Sequence, residues 1–411
     1  MTCESSNHIT DKNLKEQIIK EKRIVPIVVI GAGISGLTVA ASLECDFLVL
    51  EARDRIGGRV WSRDCGSCTV DMGAAWIHGS TNNPLNQYLN YDEMIPVSES
   101  NPWIHTGNAR ILYDGVSNET RQQMVMSWNR IAKEIAEMEC ETIAEAMVKI
   151  DNTRNIQTFL YLLEVWCGTS VSSMPPSFLR NIECDDSLFG DYAGSHCLFK
   201  KGTKSLITSI VEHSKQDLDD RILFEQIVTD ILYDRDDGLV EVRTSKGASY
   251  LCEKLVITTP PGPLQDINFV PPLSASRKCA LSKVKMGSYK KVQIEFEQVF
   301  WDTEAAMILT NKNMDVCKNG YSECKNDGYK NDVYKTEGFG CETSSFGCKN
   351  DVFIPHILWN NYACLKGAPI LEAVCPANIG WQLTGKSDEE IADAVLEHLR
   401  GMYPWMPDPI S

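Results

Sequence analysis

The sequence predicts a mixed α/β protein that opens with a β-α-β unit. Three observations lead to this prediction: a charge-free apolar run meets a glycine-rich turn, a helix and a second apolar strand follow, and strand and helix patterns alternate along the rest of the chain. The composition, with 43% hydrophobic and 23% charged residues in 411 positions, is that of a globular protein and argues against a disordered chain.

The β-α-β unit is predicted from the first apolar residues onward. Residues 24–30 predict a buried parallel strand, residues 35–43 a helix, and residues 46–50 a second strand. Residues 24–43 carry no charge and follow a mostly basic stretch, a pattern that a signal anchor shares. Because a proline and three glycines in this span would break a membrane helix, we predict no membrane span.

The turn after the first strand has the glycine pattern of a dinucleotide-binding site. Gly31, Gly33 and Gly36 follow the first strand and open the helix. The first glycine of this pattern makes the tight turn, the second lets the backbone approach a pyrophosphate at the helix N-terminus, and the third lets the helix pack closely on the sheet. Glu51 ends the second strand, where an acceptor for ribose hydroxyls is expected. These residues indicate a dinucleotide without choosing between NAD and FAD.

The residues after the second strand narrow the choice of dinucleotide. Residues 50–61 place two glycines and three arginines directly behind the acidic residue, which extends the cradle around a doubly charged pyrophosphate. This stretch resembles the flavin amine oxidase family, which includes monoamine, polyamine and L-amino-acid oxidases and the lysine-specific histone demethylases. The resemblance implies FAD as cofactor, with Arg53 and Arg59 at its phosphates or the neighbouring backbone. It also implies that Val228, within residues 226–231, contacts the adenine.

A second stretch resembles the family segment that runs beneath the isoalloxazine ring. It covers residues 71–79, so Gly73 and Ala74 are expected to contact FAD. Its Trp76-Ile-His78 form is similar to that of polyamine and spermine oxidases, whereas histone demethylases have no histidine there. His78 is therefore a candidate catalytic residue, able to bind or orient an amine and to titrate near neutral pH. A structural histidine with satisfied hydrogen bonds is the alternative.

A lysine pair marks a further candidate. Residues 286–296 resemble the family strand whose lysine holds a water against flavin N5, and both Lys290 and Lys291 fall at this position. Side chains alternate along a strand, so only one of the two can face the flavin, and the register favours Lys291 as the catalytic residue. A pair of surface lysines is the alternative.

The segment 191–196 resembles the entry to the helix that returns the chain to the FAD domain in polyamine oxidases and histone demethylases. Tyr192 and His196 are candidates for approaching the substrate channel. Turn formation and capping explain the same residue types equally well, so neither residue is assigned a chemical role.

Apolar spacing predicts further elements along the chain. Helices are predicted over residues 121–139 and 203–213, and strands over residues 223–233, 239–244 and 250–258. Ser387 and Glu390 form a capping-box pattern at the start of a helix that continues through Leu399.

The family resemblance implies the domain organisation. A doubly wound, Rossmann-like FAD-binding domain is expected in separated segments, with an α+β substrate domain inserted between them. The expected segments are a polar extension (1–23), two FAD segments (24–90 and 200–265) and two substrate-domain segments (91–199 and 266–411). In relatives a downstream stretch rich in Gly, Glu and aromatic residues covers the flavin ring. This third FAD segment is expected to be missing here, and the chain alone is then expected to hold FAD weakly or not at all.

Residues 311–352 break the regular pattern because Cys-Lys-Asn and Lys-Asn-Asp recur within them. Four cysteines there, Cys317, Cys324, Cys341 and Cys348, could in principle form a zinc site, but their spacing is wider than that of usual zinc fingers. A surface loop grown by local duplication is the simpler interpretation, so no metal is predicted. The pair Cys65 and Cys68 falls where a hairpin turn is needed, which favours a turn over a redox motif.

Charge and resemblance together define the expected function. The formal net charge of −16 disfavours nucleic acid and favours the approach of small cations. The resemblance implies oxidation of an amine, foremost a polyamine, to an imine, with dioxygen as acceptor and peroxide as product. An inactive or regulatory relative and a histone demethylase-like enzyme are the alternatives. Sixteen scattered cysteines without a disulfide pattern favour a reducing, cytoplasmic location.

Overall fold

The computed structural model describes residues 24–97, 111–113, 127–128, 130–150, 154–181, 194, 196–311 and 356–410. The polar extension 1–23, Tyr192 and the insertion from residue 312 onward, with its four cysteines, lie outside the described residues. The helix predicted over 121–139 is helical at 127–128 and 130–136. The predicted domain boundaries stay predictions.

Seventeen strands are present in the described residues: β1 (Val25–Ile30), β2 (Phe47–Leu50), β3 (Ser62–Cys65), β4 (Cys68–Asp71), β5 (Trp76–Ile77), β6 (Met94–Pro96), β7 (Ile111–Tyr113), β8 (Cys197–Phe199), β9 (Ile222–Leu223), β10 (Val228–Leu232), β11 (Val240–Thr244), β12 (Ser249–Ile257), β13 (Asn268–Val270), β14 (Tyr289–Glu295), β15 (Met307–Asn311), β16 (His356–Asn361) and β17 (Ile370–Pro376). The labelled helices are α1 (Ile34–Ser42), α2 (Ile143–Val148), α3 (Arg154–Cys167), α4 (Lys204–Glu212), α5 (Pro261–Leu264), α6 (Ala275–Lys283), α7 (Tyr362–Lys366), α8 (Ala377–Gln382) and α9 (Asp388–Met402). Short 3₁₀ turns cover Pro84–Tyr88, Tyr91–Glu93, Val171–Ser173 and Pro176–Asn181.

The predicted β-α-β unit forms the centre of a seven-stranded sheet. Its strand order is β13-β10-β11-β12-β1-β2-β9, and β1 runs parallel to both β2 and β12. Val29 and Phe47 pack with helices α1 and α4 on one face, whereas Val28 and Leu48 pack on the other face with β10 to β12. Alternation along buried strands explains why neighbouring residues join different cores. The predicted α/β class is confirmed, and the strand-turn-helix interpretation of residues 24–43 holds.

One strand prediction is wrong. Residues 223–233 form two separate strands, because β9 pairs with β2 at one edge of the sheet and β10 pairs with β11 and β13 near the other. Between them Glu225 takes a left-handed φ of 56° and donates its N–H to the Arg53 carbonyl. An apolar run hides this crossing, since periodicity does not show where a chain leaves one sheet position for another.

A five-stranded sheet, ordered β14-β17-β16-β15-β7, forms the second unit. Trp359, Phe296 and Leu160 are fully buried in its core, where the sheet meets helices α2, α3, α8 and α9. The predicted capping box opens α9, with Ser387 and Glu390 bonding to each other's backbone N–H. This sheet carries the lysine pair on β14.

Two small sheets connect the larger ones. The hairpin β3–β4 turns between Cys65 and Cys68, as predicted, and its last residue is Asp71. The three-stranded sheet β5-β8-β6 holds Trp76 opposite Leu198 and so brings residues 71–79 beside the strand that follows His196. Within the described ranges no helix has both the length and the apolar character to cross a membrane. No group of three or more metal-ligand side chains occurs in the same ranges.

Candidate cofactor and active site

The glycine turn after β1 is too tight for other residues. Gly31 has a φ of +101°, and a Cβ on Gly36 would lie 1.8 Å from the Gly31 carbonyl oxygen. A Cβ on Gly33 would meet nothing nearer than the Gly58 Cα at 3.9 Å among the described residues. Gly33 is also the N-cap of α1, and it supplies no side-chain cap. An uncovered helix N-terminus with open space before it is suited to a phosphate.

Glu51 closes this turn from the end of β2. Its Oε2 accepts the Ala32 N–H at 2.7 Å, and its Oε1 accepts the Arg53 N–H at 2.9 Å. The residue is buried, with 7% exposed. Each carboxylate oxygen has a second lone pair, so the residue can organise the turn and still accept a ribose hydroxyl.

The predicted cofactor residues that come later in the chain lie near Glu51 and Arg59, in the segment that follows β2. Gln226 donates its N–H to the Glu51 carbonyl at 2.8 Å, and Val228, two residues on, is buried at the start of β10. The Ala74 N–H bonds the Arg59 carbonyl at 3.1 Å, and a Cβ on Gly73 would lie 1.9 Å from that oxygen. Segments far apart in sequence therefore meet around one turn.

The side chains of Arg53 and Arg59 are on the outside of this arrangement, where both residues are exposed. The third arginine of the stretch, Arg55, stacks over the Trp61 ring with its Cζ 4.5 Å from the ring centre. The local charge is thus positive beside an uncovered helix N-terminus, which favours a diphosphate.

His78 lies in a cluster of aromatic rings. Its ring centroid is 5.3 Å from that of His196, 5.8 Å from that of Trp166 and 6.4 Å from that of Trp76. Burial lowers the pKa of His78, so the cluster favours a neutral imidazole. The cluster joins β5, α3 and the residue before β8, so His196 is brought next to His78. Tyr192 lies outside the described residues.

The two neighbouring lysines point in opposite directions. Lys291 is buried, with 8% of its side chain exposed, and its Nζ donates to the Asp71 carbonyl at 3.1 Å. Lys290 reaches the Leu383 carbonyl after α8, at 3.4 Å. The alternation expected of a strand is therefore observed, and a surface lysine does not describe Lys291.

The matching family agrees with these motifs. Residues 34–411 match the model of the flavin containing amine oxidoreductases, which is most of the chain. The chain belongs to this family. Membership implies that the protein is a flavoprotein oxidoreductase with FAD as its cofactor. The resemblance of residues 50–61 to this family predicted the same cofactor.

Relatives of this amine oxidase fall into two groups. It is 25% identical to probable polyamine oxidase 4 of Arabidopsis thaliana over 98% of its own length and 77% of the relative's. It is 26% identical to polyamine oxidase 4 of Oryza sativa subsp. japonica over 93% of its own length and 74% of the relative's. Human lysine-specific histone demethylase 2 is 28% identical over 68% of the chain and 35% of the demethylase.

The residues of this amine oxidase fit FAD. A diphosphate fits the open space that a side chain at Gly33 would fill before the uncovered N-terminus of α1, whereas Gly31 and Gly36 allow the tight turn and the close helix packing that create this space. The adenosine would lie between Glu51 and Val228, which the Gln226 hydrogen bond brings near each other.

Two residues of the site were not predicted from the sequence. Trp166 is one of several apolar residues of α3, and nothing in its neighbourhood marks it as a partner of His78. Glu372, in a buried apolar strand, is the ion-pair partner of Lys291. A charged residue inside the fully buried run Ile370–Pro376 is unusual enough to have marked a functional candidate.

Proposed function

We propose that the chain oxidises a polyamine to an imine, with dioxygen as electron acceptor and peroxide as product. Family membership supports oxidation of an amine, and the coverage of polyamine oxidases along nearly the whole chain supports the substrate class. The observation that carries the proposal is the buried Lys291, whose ammonium bonds the main chain of the segment leading to His78. Free thiols at the described cysteines support a cytoplasmic location.

FAD, when bound, supplies the redox step, since it accepts a hydride equivalent from the carbon beside the amine and passes the electrons to dioxygen. The chain's residues bind and prepare the substrate. The amine must be neutral to react, and the His78 imidazole, which burial favours in its neutral form, can accept a hydrogen bond from the amine and orient it. The rings of Trp76 and Trp166 beside it attract the cationic amine as it approaches.

The cofactor residues have assigned places in this proposal. Gly31, Gly33 and Gly36 form the cradle of a doubly wound FAD-binding domain. Arg53 and Arg59 lie on its outer side, and Gly73 and Ala74 lead from it to the flavin ring. Lys291 is assigned the family role of holding a water near the flavin ring, which its contact with the Asp71 segment supports.

The test compares amines on the flavin-loaded protein. The purified protein is mixed anaerobically with spermine, an acetylated polyamine, benzylamine or a methylated-lysine peptide, and bleaching of the visible flavin band is followed. We expect the polyamines to reduce the flavin fastest. Faster bleaching by benzylamine or by the peptide would move the chain to the monoamine or demethylase branch. A flavin that no amine bleaches would favour the inactive, regulatory relative.

A matched pair of histidine variants tests the site. His78→Gln should slow bleaching by spermine by about tenfold or more, because a ring that binds and orients the amine is lost. His213→Gln is the control, since His213 is exposed at the end of α4 and bonds the Ser209 carbonyl. Equal rates in the two variants would leave His78 with a structural role alone.

A further inference from the structure

Four charged side chains are buried together where the hairpin β3–β4 meets the five-stranded sheet. They are Asp71, Lys291, Lys366 and Glu372, whose side chains are 0%, 8%, 4% and 1% exposed. Lys291 Nζ is 3.3 Å from Glu372 Oε1, and Lys366 Nζ is 3.9 Å from Asp71 Oδ2. Burying four charges is costly unless each one is paired, so a cluster of this kind needs a reason.

Glu372 is held in place by side chains from both neighbouring strands and from α7. Its ladder partners on both sides, Gln293 on β14 and Asn360 on β16, each donate a side-chain amide at 2.7 Å, to Oε2 and Oε1 respectively. The Tyr362 hydroxyl donates to Oε2 at 3.2 Å. Burial, and then the charge of Glu372, raise the pKa of Tyr362, so this hydroxyl stays a donor. Three strands and a helix thus define the position of one carboxylate.

The restraint passes from Glu372 to Lys291. A lysine side chain has a flexible four-carbon stem and would not by itself hold its ammonium in one position. An ammonium has three donors. The Lys291 ammonium lies between two acceptors, since Glu372 Oε1 is 3.3 Å from Nζ and the Asp71 carbonyl accepts from Nζ at 3.1 Å, and these two contacts restrict where it can lie. Gln293 also bonds the Asp71 carbonyl, at 3.3 Å, so the same row of side chains holds the target in place.

We propose that Glu372 is a positioning residue for Lys291 and aims its ammonium at the flavin side of the Asp71 segment. This inference rests on the proposed function, which places Lys291 beside the flavin. A purely structural ion pair is the competing explanation, because the cluster also ties the hairpin to the sheet. The positioning role and the structural ion pair predict different results for a variant that keeps the negative charge at residue 372 and changes only its position.

The experiment uses the flavin-loaded protein and four variants: Glu372→Gln, Glu372→Asp, Lys291→Met and the double variant Glu372→Gln with Lys291→Met. For each, the thermal midpoint, the reduction potential of the bound flavin and the rate of anaerobic bleaching by spermine are measured. Glu295→Gln is the matched control. Glu295 lies on the same face of β14, is buried, and accepts the Ser67 N–H at 3.1 Å.

We expect Glu372→Gln to slow bleaching by about fivefold or more and to shift the potential in the same direction as Lys291→Met. In the double variant the potential should equal that of Lys291→Met alone, since a positioning residue has no effect without the residue it positions. Glu372→Asp, which keeps the charge and shortens the side chain, should retain the thermal midpoint and still slow bleaching. It also decides the matter if Glu372→Gln does not fold.

Additive shifts of the potential, or a Glu372→Asp variant that behaves like Glu295→Gln, would overturn the inference and leave a structural ion pair. If no amine bleaches the flavin, the proposed function fails, and the potentials of the four variants still decide the role of Glu372. If the chain takes up no flavin, the same four variants are compared in a chimera that carries the C-terminal segment of a related enzyme.

Discussion

At the scale of single residues, the buried ionisable groups distinguish this chain from a simple packed core. Lys291 spans from β14 to the main chain at Asp71 and carries the proposed contact with the flavin side, whereas its neighbour Lys290 bonds the Leu383 carbonyl. The two lysines share chemistry and strand and differ only in the side of the strand they occupy. They therefore form a natural comparison.

We predict that Lys291→Met slows flavin reduction or reoxidation by at least about tenfold, because a positioned donor near the reacting ring is lost. Lys290→Met should have little effect, since its side chain points away from Asp71. Stopped-flow absorbance on both variants measures the difference. The reverse order of effects would assign the flavin-side role to Lys290.

Glu164 is a second residue whose environment predicts a measurable effect. It lies on α3, its Oε1 accepts the Val171 N–H at 3.0 Å, and burial raises its pKa from 4.5 to about 7. A raised carboxyl pKa means that the folded state binds a proton more tightly than the unfolded state. Its contribution to stability is therefore fully present below pH 4.5 and is lost as the pH rises through about 7.

We predict that Glu164→Gln, which cannot ionise, flattens the fall in thermal midpoint between pH 4.5 and 7. The gain in stability above that window should be on the order of 3 kcal/mol, from the pKa difference. Glu134→Gln, at an exposed helical position, is the control and should leave the pH profile unchanged. Parallel profiles for Glu164→Gln and the unmodified chain would show that this carboxyl ionises normally.

At the scale of secondary-structure elements, the start of helix α4 depends on a side chain from a distant hairpin. Asp71 Oδ1 accepts the Thr203 N–H and the Thr203 hydroxyl, both at 2.7 Å, and the Ser62 hydroxyl at 2.6 Å. Thr203 is the N-cap of α4 and makes no side-chain cap of its own. A carboxylate at this place stabilises the helix through its dipole and joins the hairpin to the main sheet.

We predict that Asp71→Asn lowers the free energy of unfolding by about 2–4 kcal/mol, because the buried donors keep only a neutral amide oxygen and the Lys366 ammonium loses its buried counter-charge. Asp64→Asn is the matched control on the same hairpin. Its ion pair with Lys204 is exposed and screened by solvent, so the loss should be much smaller than that of Asp71→Asn. Urea denaturation measures both, and equal losses would mean that Asp71 acts as an ordinary surface carboxylate.

At the scale of the whole molecule, the net charge is expected to affect the approach of the substrate and to have little effect on the reaction of bound substrate. The net charge of −16 creates an attractive field for any cation, and the field acts more strongly on a polyamine than on a monoamine. The candidate catalytic residue Lys291, by contrast, is buried against Glu372 and the main chain at Asp71. Steering should therefore depend on salt, whereas the reaction of bound substrate should not.

We predict that the apparent KM for spermine rises by about threefold or more between about 0.01 M and 0.1 M salt, as the Debye length shortens from about 30 Å to about 10 Å. The KM for benzylamine should change less, and kcat should stay constant for both. Steady-state peroxide production measures these values. A salt effect of equal size on both amines would remove overall charge as a source of preference.

The elements that the sequence predicted well have local causes. The β-α-β unit, the hairpin at Cys65 and the capping box at Ser387 each depend on neighbouring residues. The run 223–233 failed because its two halves obey the same apolar pattern while pairing with different strands. The local apolar pattern indicates that a segment tends to form a strand, but it does not indicate which strand it pairs with.

By itself the sequence determined the α/β class, the flavin family and the glycine cradle, because backbone conformation at Gly31 and Gly36 allows few other residues. It also restricted the buried lysine to two neighbours, since strand alternation separates their faces. Only the tertiary structure decided that Glu372, which lies 81 positions after Lys291 in the numbering, is its ion-pair partner, and that Trp166 and His196 surround His78. These contacts arise where strands and helices distant in sequence meet, and burial then makes each charge require a partner that no local pattern names.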